Sequence, residues 1–407
     1  MAVENAVAGL HGPDVRSDCW VEVRSGATEE HSIDLRSRVA ALYGESIRAL
    51  VESTLAQLGA TDVAVSLDDS GALPFVLMAR IEAAVRRLRP DTTAAALPPL
   101  NPNAVGRSSR ERLRRSRLYL PGNTPKFFIN AALHAPDAVV LDLEDSVAPA
   151  EKDAARILVR NALRAVSFGS AERIVRINQL PQGLDDVRAV APHGVHTLLI
   201  PKVEDAEQVV AVDQLLGEMQ AEGLVQHDIY LLPSVESARG VLHAEAIALA
   251  SPNVVALSIG LEDYAADIGV ERTADGRESL WACSQVVNAA RAAGVQPLAS
   301  VYANVDDAQG LRSWVRTMRE LGFDGVGCIH PRQVRVVHEV LAPSAAEVDW
   351  ARKVVAAAEE ARLAGRGVVA VDSRMIDAPV VRRALRTLQL AEASGLTQGL
   401  ALEDEGN

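Results

Sequence analysis

Short apolar runs alternate with longer segments of helical apolar spacing over most of the chain. The runs are RLYLPG, AVVLDLED, RIVRIN, TLLIPKV, IYLLPSVE, VVALSIGLED, PLASVYA and GVGCIHP. Segments between them, such as residues 149–166, 205–219, 237–250 and 278–293, carry apolar residues at helical intervals. This alternation predicts strand–helix units, and eight of them predict an α/β fold, a (β/α)8 TIM barrel over residues 113–343.

The chain before the barrel predicts a second, smaller unit. Within residues 1–89, the runs CWVEV, HSIDL and VAVSL resemble short strands, and residues 36–58 and 76–88 have helical apolar spacing. These elements predict a small α+β domain. Residues 90–112 begin with PDTTAAALPPLNPNAVG, which has no sustained apolar period, and therefore predict an extended linker.

The chain after the barrel contains two more helical patterns, at residues 345–363 and 378–393. A barrel of about 250 residues does not need them. Residues 344–407 are therefore predicted to form a C-terminal helical extension that docks on a neighbouring subunit or on the barrel mouth.

Composition and charge restrict the partners and the compartment. The chain has 54 acidic and 41 basic residues, a net charge of −13, which argues against nucleic acid or an anionic membrane as its main partner. No stretch approaches the roughly eighteen apolar residues of a membrane span, and the chain does not begin with an export signal. Cys19, Cys283 and Cys328 lack metal-binding spacing and are odd in number, so we interpret them as packing residues of a cytoplasmic protein.

A small anionic substrate would require arginines placed locally. The segment RSSRERLRRSR places six arginines between Arg107 and Arg117. This segment is either a solvated connector, the interpretation we favour, or a cationic patch for the phosphates of a nucleotide-bearing substrate. Arg117 opens the first predicted barrel strand and is a candidate substrate-binding residue.

Polar and charged residues recur where the apolar runs stop. In a barrel of this kind the carboxyl ends of the strands meet at one face, where catalytic residues lie. One charged residue there is usually a helix cap or a rim charge, whereas a set drawn from six strands indicates an active site. The set comprises Asp142, Glu144, Asp145, Arg176, Asn178, Lys202, Glu236, Glu262, Asp263 and His330.

Glu236 and Asp263 follow neighbouring predicted strands, an arrangement that would bring two carboxylates together. Hard oxygen ligands, with water completing the shell, suit Mg²⁺. No cluster of Cys and His indicates zinc. The alternatives are a helix N-cap for Glu236 and a rim hydrogen bond for Asp263.

Three further side chains on this face have two interpretations each. Arg176 has the planar fork to hold a carboxylate or thioester oxygen, and an ion pair with Glu144 is its structural alternative. Lys202 is a Schiff-base lysine or, as we favour, an ion-pair partner of Glu204 or Glu144. His330 either binds substrate or makes a structural hydrogen bond.

Eight motifs occur in order from Arg115 to the C-terminus: RSRLYLPGNTPKF, VVLDLEDSV, VRIN, IPKVE, SVESARG, GLEDYAADIG, GCIHPRQV and DSRMIDAPVV. In this order they resemble the citrate lyase β-subunit family, which includes malyl-, β-methylmalyl- and citramalyl-CoA lyases. The resemblance implies a Mg²⁺-dependent barrel lyase that forms homotrimers or homohexamers. It implies Glu236 and Asp263 as metal ligands and Arg176 as the arginine that steadies an enolate.

Two more catalytic candidates accompany that resemblance. Glu144 lies in the motif VVLDLEDSV. Asp377, in RMIDAP, matches an acid/base that the family supplies across a subunit interface, whereas the residues alone predict a helix N-cap there.

The motifs SDCWVEV, IDLRSRVAALYGESIRALVESTL and VSLDDSGALPFVLMARIEAAV resemble a second family, the acyl-carrier γ-subunit of citrate lyase. That family attaches a phosphoribosyl-dephospho-CoA arm to a serine two positions before the aspartate matching Asp18. Here that position is Arg16, and Ser17 is the only nearby hydroxyl. Either the attachment site has moved to Ser17, or the module has lost its arm and become structural, which we favour. In the latter case free CoA thioesters are the expected substrates.

These expectations describe a lyase that cleaves or forms a carbon–carbon bond in a 3-hydroxyacyl thioester of citryl, malyl or citramalyl type. The products would be an acetyl thioester and a 2-oxo acid, formed through an enolate whose charge a fixed cation stabilises. A thioester hydrolase using the same metal site and a non-catalytic, carrier-like assembly subunit are the alternatives. The expected partners are the acyl thioester and the 2-oxo acid, with neither nucleic acid nor membrane.

Overall fold

A computed structural model describes residues 5–26, 32–104, 106–273, 275–363, 369–372 and 374–396. It contains a small sheet domain followed by a closed eight-stranded barrel, which confirms the fold class expected from the sequence. No helix in the described part of the chain is long and apolar enough to cross a membrane. Cys19, Cys283 and Cys328 are all buried, free thiols, in agreement with a packing role.

The N-terminal domain is a four-stranded sheet with two helices. Its elements are β1 (Asn5–Gly9), β2 (Cys19–Ser25), β3 (Ile33–Ser37), α1 (Ala40–Gln57), β4 (Val63–Asp69) and α2 (Pro74–Leu88). The strands lie in the order β1-β2-β4-β3, and β3 pairs with β4 in parallel. Alternate residues of β2 and β4 are buried, so one face of the sheet packs into the core. The strand β1 was not predicted, because NAVAG carries a weak alternating pattern.

The eight barrel strands are parallel, and each pairs with the next until β12 pairs with β5. They are β5 (Ser116–Pro121), β6 (Ala138–Asp142), β7 (Glu172–Arg176), β8 (Thr197–Ile200), β9 (Tyr230–Val235), β10 (Ala256–Ile259), β11 (Gln296–Val301) and β12 (Gly325–Cys328). All eight coincide with runs identified in the sequence. An inner cluster of apolar side chains, including Val140, Ile174, Leu199 and Leu232, fills the interior.

Helices surround the barrel on the outside. They are α3 (Lys126–Ile129), α4 (Lys152–Ala165), α5 (Gly183–Val190), α6 (Ala206–Ala221), α7 (Ala238–Leu242), α8 (Ala244–Ala248), α9 (Leu261–Asp267), α10 (Leu280–Ala292), α11 (Ala308–Leu321) and α12 (Pro331–Leu341). The single helix expected at residues 237–250 is divided into α7 and α8 at His243.

The arginine segment before β5 is exposed at its start, at Arg107, as expected of a solvated connector, but Arg114 and Arg115 near its end are buried. Arg114 pairs with Glu172 at 2.7 Å, and both side chains are fully buried. Arg115 pairs with Asp137 at 2.8 Å. These pairs lie at the amino ends of the barrel strands, the face opposite the predicted active site. The sequence could not reveal them because the acidic partners are distant in the chain.

The N-terminal domain is fixed to the barrel by polar contacts and by helix packing. Helix α2 packs on α4. Glu82 of α2 accepts hydrogen bonds from Arg160 of α4 at 2.7 and 2.9 Å, and all of these atoms are buried. The segment predicted to be an extended linker takes part, since Asn101 bonds to the backbone oxygens at the end of α4.

The C-terminal extension consists of α13 (Ala345–Leu363), β13 (Val369–Val371), β14 (Arg374–Ile376) and α14 (Ala378–Ala393). Both predicted helices are confirmed, and the short hairpin between them was not predicted. Arg386 of α14 pairs with Asp324, and Ser394 accepts a hydrogen bond from Arg115 at 2.9 Å. In this chain the extension therefore docks at the amino end of the barrel and not at its mouth.

Candidate active site at the carboxyl end of the barrel

A cavity of about 440 Å³ opens at the carboxyl ends of the strands. Seven of the charged residues identified in the sequence line it: Arg117, Asp142, Asp145, Arg176, Glu236, Glu262 and Asp263. Their convergence follows from the parallel closed sheet, which brings every strand end to one rim.

Glu236 follows β9 directly and is buried. Burial, together with the nearby carboxylate of Asp263, raises the pKa of Glu236 to about 7. Gly260 leaves the room that this side chain needs, because a Cβ at position 260 would lie 2.8 Å from the Cγ of Glu236. The carboxylates of Glu236 and Asp263 are thus close enough to interact, as expected.

The sequence predicted Asp263 at the end of a strand, and this prediction is wrong. Strand β10 ends at Ile259, and Asp263 lies in the first turn of α9. The apolar run continues past the strand because Leu261 is a buried helix residue. Asp263 remains next to the cavity with its side chain 46% exposed.

The donor set around Glu236 and Asp263 fits a hard divalent cation. No Lys or Arg among the described residues lies within ion-pair distance of Glu236, although its carboxyl is buried. No group of three or more His, Cys, Asp or Glu side chains in the described ranges is arranged to hold a metal. Two carboxylates with open positions left for water and substrate match the way Mg²⁺ binds in proteins.

Arg176 is held by three carboxylates. Its Nε and Nη2 donate to the two oxygens of Asp142 at 2.6 and 2.7 Å, and its Nη1 lies 2.9 Å from Glu144 and 3.3 Å from Asp145. The alternative of an ion pair with Glu144 is thus present, together with a stronger pair that the sequence did not reveal. The edge of the guanidinium formed by Nε and Nη2 is occupied by protein, so this edge is not a free clamp for substrate. The Cζ of Arg176 lies 5.6 Å from the ring centre of Tyr119.

Lys202 makes the ion pair that the sequence favoured. Its Nζ lies 2.9 Å from Glu144, 3.1 Å from Asp145 and 3.6 Å from Asp263. Burial alone would lower the pKa of Lys202, but the carboxylates outweigh it and raise the pKa. An amine that stays protonated is a poor Schiff-base nucleophile. The residue has φ +51°, a left-handed conformation that costs a non-glycine residue about 1 kcal/mol.

Glu144 is buried between these two cations. Burial, with a contribution from Asp145, raises its pKa despite Arg176 and Lys202. Asp145 titrates in the opposite direction: burial opposes ionisation, but its hydrogen bond with Glu144 and the two cations lower its pKa. Asp145 therefore ionises more readily than Glu144 in this acidic cluster of Asp142, Glu144 and Asp145.

Glu144 and Lys202 do not line the cavity themselves but bind residues that do, whereas three further candidates lie away from it. His330 caps α12, and its Nδ1 accepts the backbone N–H of Arg332 at 3.1 Å, which is the structural alternative. Asp377 caps α14 by accepting the N–H of Val380 at 3.2 Å. Ser17 lies in the N-terminal domain at φ +57°, with its N–H bonded to the oxygen of Ser70.

Several cavity residues were missed by the sequence analysis. Tyr119, Ser234, Ser258 and Ser300 line the cavity from inside the strands. They could have been found by period-2 counting, since alternate residues of a barrel strand face inward. The search for charged residues at strand ends passed over them.

Two family models match the chain. Residues 115–331 match the family described as HpcH/HpaI aldolase/citrate lyase. Residues 4–88 match the family described as ACP, malonate decarboxylase delta subunit. The expected acyl-carrier resemblance of the N-terminal domain is confirmed, although the matching model is described by a different carrier subunit.

Named relatives cover most of the chain. The citrate lyase subunit beta of Leuconostoc mesenteroides is 38% identical over 74% of this chain and 98% of its own length. A Rhodobacter capsulatus L-malyl-CoA/beta-methylmalyl-CoA lyase is 35% identical over 69% and 95% of the two chains. A Cereibacter sphaeroides (3S)-malyl-CoA thioesterase is 37% identical over the same shares.

A solved structure shares the barrel. The CitE protein of Mycobacterium tuberculosis, in complex with magnesium, acetoacetate and coenzyme A, superposes with a TM-score of 0.56 at 32% identity, covering 70% of this chain and all of that one. Fold, residue pattern and matched length agree. The chain belongs to the HpcH/HpaI aldolase/citrate lyase family.

Proposed function

We propose that this protein is a Mg²⁺-dependent lyase that cleaves or forms the carbon–carbon bond of a 3-hydroxyacyl-CoA thioester. The products would be acetyl-CoA, or a close homologue, and a 2-oxo acid. The observation that carries this proposal is the buried carboxyl of Glu236, which has no ion-pair partner among the described residues and lies beside Asp263 at a cavity that Arg176 also lines. The CitE structure with magnesium and coenzyme A supports it.

Glu236 and Asp263 would hold the metal, which supplies a positive charge for polarising the substrate oxygens. The side chains of this chain then provide orientation and electrostatics. Arg176 is fixed by Asp142, and its Nη1 contacts Glu144. Its guanidinium would add positive charge near the site where the enolate forms. Lys202 remains protonated and neutralises Glu144 and Asp145.

Glu144 is a positioning residue in this scheme. It binds Arg176 and Lys202 at 2.9 Å each and thereby fixes the two cations relative to one another. Because its pKa is raised by burial, it could also hold a proton beside the cavity.

The acid/base residue would come from a second subunit. Asp377 lies at the start of α14, on an extension that docks away from the mouth of its own barrel. We infer a homotrimer or homohexamer in which the Asp377 carboxylate of one chain faces the cavity of another. It would donate and remove the proton at the acetyl carbon.

Free CoA thioesters are the proposed substrates. The N-terminal domain is fixed to the barrel, and Ser17 is half-buried with a constrained backbone, which suits a structural module better than a mobile carrier. Intact mass of the protein from its native host would equal the mass of the unmodified chain. An added phosphoribosyl-dephospho-CoA arm on Ser17 would contradict this part of the proposal. We place the enzyme in the cytoplasm, where CoA thioesters are made.

A thioester hydrolase is the second candidate, because a relative 37% identical to this chain is named (3S)-malyl-CoA thioesterase. The same metal-binding pair and cations would then direct water at the thioester carbonyl. Nothing in the geometry of the cavity requires that outcome.

One incubation separates the two functions. Purified protein with Mg²⁺ is mixed with malyl-CoA, citramalyl-CoA or citryl-CoA, and the products are read by mass spectrometry. Acetyl-CoA with a 2-oxo acid supports the lyase, whereas free CoA with the intact hydroxy acid supports the hydrolase. No turnover of any thioester would contradict both.

The metal assignment has its own test. Glu236→Gln and Asp263→Asn should each abolish Mg²⁺ binding in calorimetry and lower kcat/KM by about 100-fold or more. Glu245→Gln, an equal change of charge at an exposed position of α8, should change neither. Retention of Mg²⁺ binding and turnover in the first two variants would show that the metal lies elsewhere.

A further inference from the structure

Arg117 is a buried cation inside the barrel that the scheme above does not use. On β5 the residues Arg117, Tyr119 and Pro121 line the cavity, whereas Leu118 and Leu120 pack outward against the helix layer. Arg117 therefore points into the barrel from the lowest of the three positions. Only 1% of its surface is exposed.

The guanidinium of Arg117 is largely without partners. Its Nη2 donates to the backbone oxygen of Ala299 at 2.7 Å, beside an irregularity in the pairing of β11 with β12. Its Nε and Nη1 make no hydrogen bond within the described structure. Burial lowers the pKa of Arg117, whereas the Tyr119 phenol, through its charge and a side-chain hydrogen bond, partly opposes this shift and still leaves Nε and Nη1 without a partner. No described carboxylate lies within ion-pair distance, in contrast to Arg114 and Arg115.

A charged group in such a position is expensive for the folded protein. Burial of an ion costs several kcal/mol unless a counter-ion and hydrogen bonds compensate. Arginines that only stabilise a fold have such partners, as the fully buried pair of Arg114 with Glu172 shows. The unused N–H groups of Arg117 are accordingly suited to an anion that arrives from outside.

The walls around Arg117 are polar on one side of the barrel. Ser234 of β9, Ser258 of β10 and Ser300 of β11 line the cavity below the metal-binding pair. On the other side Leu199 is apolar. A polar group can therefore descend from the metal site toward Arg117 past hydroxyl groups that accept or donate hydrogen bonds.

We propose that Arg117 is a specificity-determining residue that binds a second carboxylate of the acyl substrate at the floor of the barrel. The inference rests on the proposed lyase function and narrows its substrate class. The 2-oxo acid released or condensed would be a dicarboxylate, with one carboxylate at the metal and the other on Arg117. A 2-oxo monocarboxylate would leave Arg117 unpaired and would bind more weakly.

Calorimetry with the Mg²⁺-loaded full-length protein tests this directly. Pyruvate and oxaloacetate are the probes, since they differ by one carboxylate. We expect oxaloacetate to bind at least about 10-fold more tightly than pyruvate, because a hydrogen-bonded charge pair contributes about that much. In Arg117→Met the difference should disappear, while the affinity for pyruvate stays unchanged. Arg332→Met, which removes an exposed arginine near the mouth, should keep the preference.

Thermal unfolding without ligand provides the structural control. Arg117→Met should leave the melting temperature unchanged or raise it, since an apolar side chain replaces an unpaired buried charge. Arg117→Lys should fold and retain part of the preference for oxaloacetate. Unfolding of both variants would show that Arg117 only stabilises the barrel and would overturn the proposal.

Two further outcomes would also overturn it. One is equal affinity of the wild type for the two acids, in which case buried water satisfies Arg117. The other is an undiminished preference in Arg117→Met. These binding measurements need no turnover. If the protein prefers oxaloacetate to pyruvate but shows no lyase activity, the proposed function is refuted and the role of Arg117 stands. If the protein is a lyase but binds the two acids equally, the role of Arg117 is refuted and the proposed function stands.

Discussion

Asp142 holds both the Nε and the Nη2 of Arg176, at 2.6 and 2.7 Å, through its two carboxylate oxygens. The pair joins the ends of the neighbouring strands β6 and β7, where the two residues are in register. Arg176 therefore has one orientation before any ligand binds. Its guanidinium can stabilise negative charge without first being ordered.

This pair makes Asp142 a test of positioning. Asp142→Asn replaces one of the two acceptor oxygens by an NH2 donor and removes the charge, so the guanidinium of Arg176 should lose its fixed orientation. We expect kcat for thioester cleavage to fall about 10- to 100-fold, with a smaller change in KM. Steady-state kinetics check this, and Asp185→Asn, which loses an exposed pair with Arg188, is the control. A change confined to KM would contradict the positioning role.

Asp377 should act only between subunits. An Asp377→Ala chain and an Arg176→Ala chain are each expected to be nearly inactive alone. Mixed oligomers should regain partial activity, because some cavities receive an intact Arg176 from one chain and an intact Asp377 from its neighbour. Two affinity tags would verify that the chains mix. Verified mixing without regained activity would remove the shared site.

Asp18 should be important for stability through Arg80. The two side chains pair at 2.8 Å and are almost fully buried, and Arg80 also donates to the backbone oxygen of Asn123 in the barrel domain. Asp18→Ala leaves a buried cation without its partner and should lower the free energy of unfolding by about 3–5 kcal/mol. Denaturant titration measures this. Asp34→Ala, at an exposed and loose pair with Arg36, should cost less than about 1 kcal/mol.

His196 should make stability depend on pH. Burial, followed by the charge of Arg173, lowers the pKa of His196 to about 4, and its Nδ1 already accepts the backbone N–H of Arg173. The unfolded chain binds a proton near pH 6.5 and the folded chain does not. The free energy of unfolding should therefore fall as the pH drops from about 6.5 toward 4, by up to about 3 kcal/mol.

Denaturant titration across that pH range isolates the contribution of His196. The pH dependence should be smaller in His196→Gln, whereas the exposed His134→Gln should match the wild type. Identical pH profiles for His196→Gln and the wild type would show that folding does not lower the pKa of His196.

The sequence identified the barrel because a local pattern, repeated eight times, determines which segments pair. It predicted that Glu236 and Asp263 meet at one rim for the same reason, since parallel strands deliver their carboxyl ends there. It misplaced Asp263 because an apolar run does not show where a strand stops when a buried helix residue, Leu261, follows immediately.

Contacts between distant parts of the chain were not predictable from such patterns. The pairing of Asp142 with Arg176 depends on register, and the pairing of Arg114 with Glu172 on two residues 58 positions apart. Composition therefore suggested a solvated segment where the structure buries Arg114, Arg115 and Arg117. The lack of an ion-pair partner for Arg117 depends on all the residues around it and could not be predicted from any one residue in the sequence.

Helix α2 is enclosed on two sides, since twelve of its fifteen residues are buried between its own sheet and the barrel helix α4. A chain cut at residue 90 would give two fragments, each with an uncovered apolar helix face that favours aggregation. The two parts resemble separate subunits elsewhere, but in this chain they share a buried helix interface. Substitutions that disrupt the core of the N-terminal domain would therefore also lower the amount of folded, active barrel.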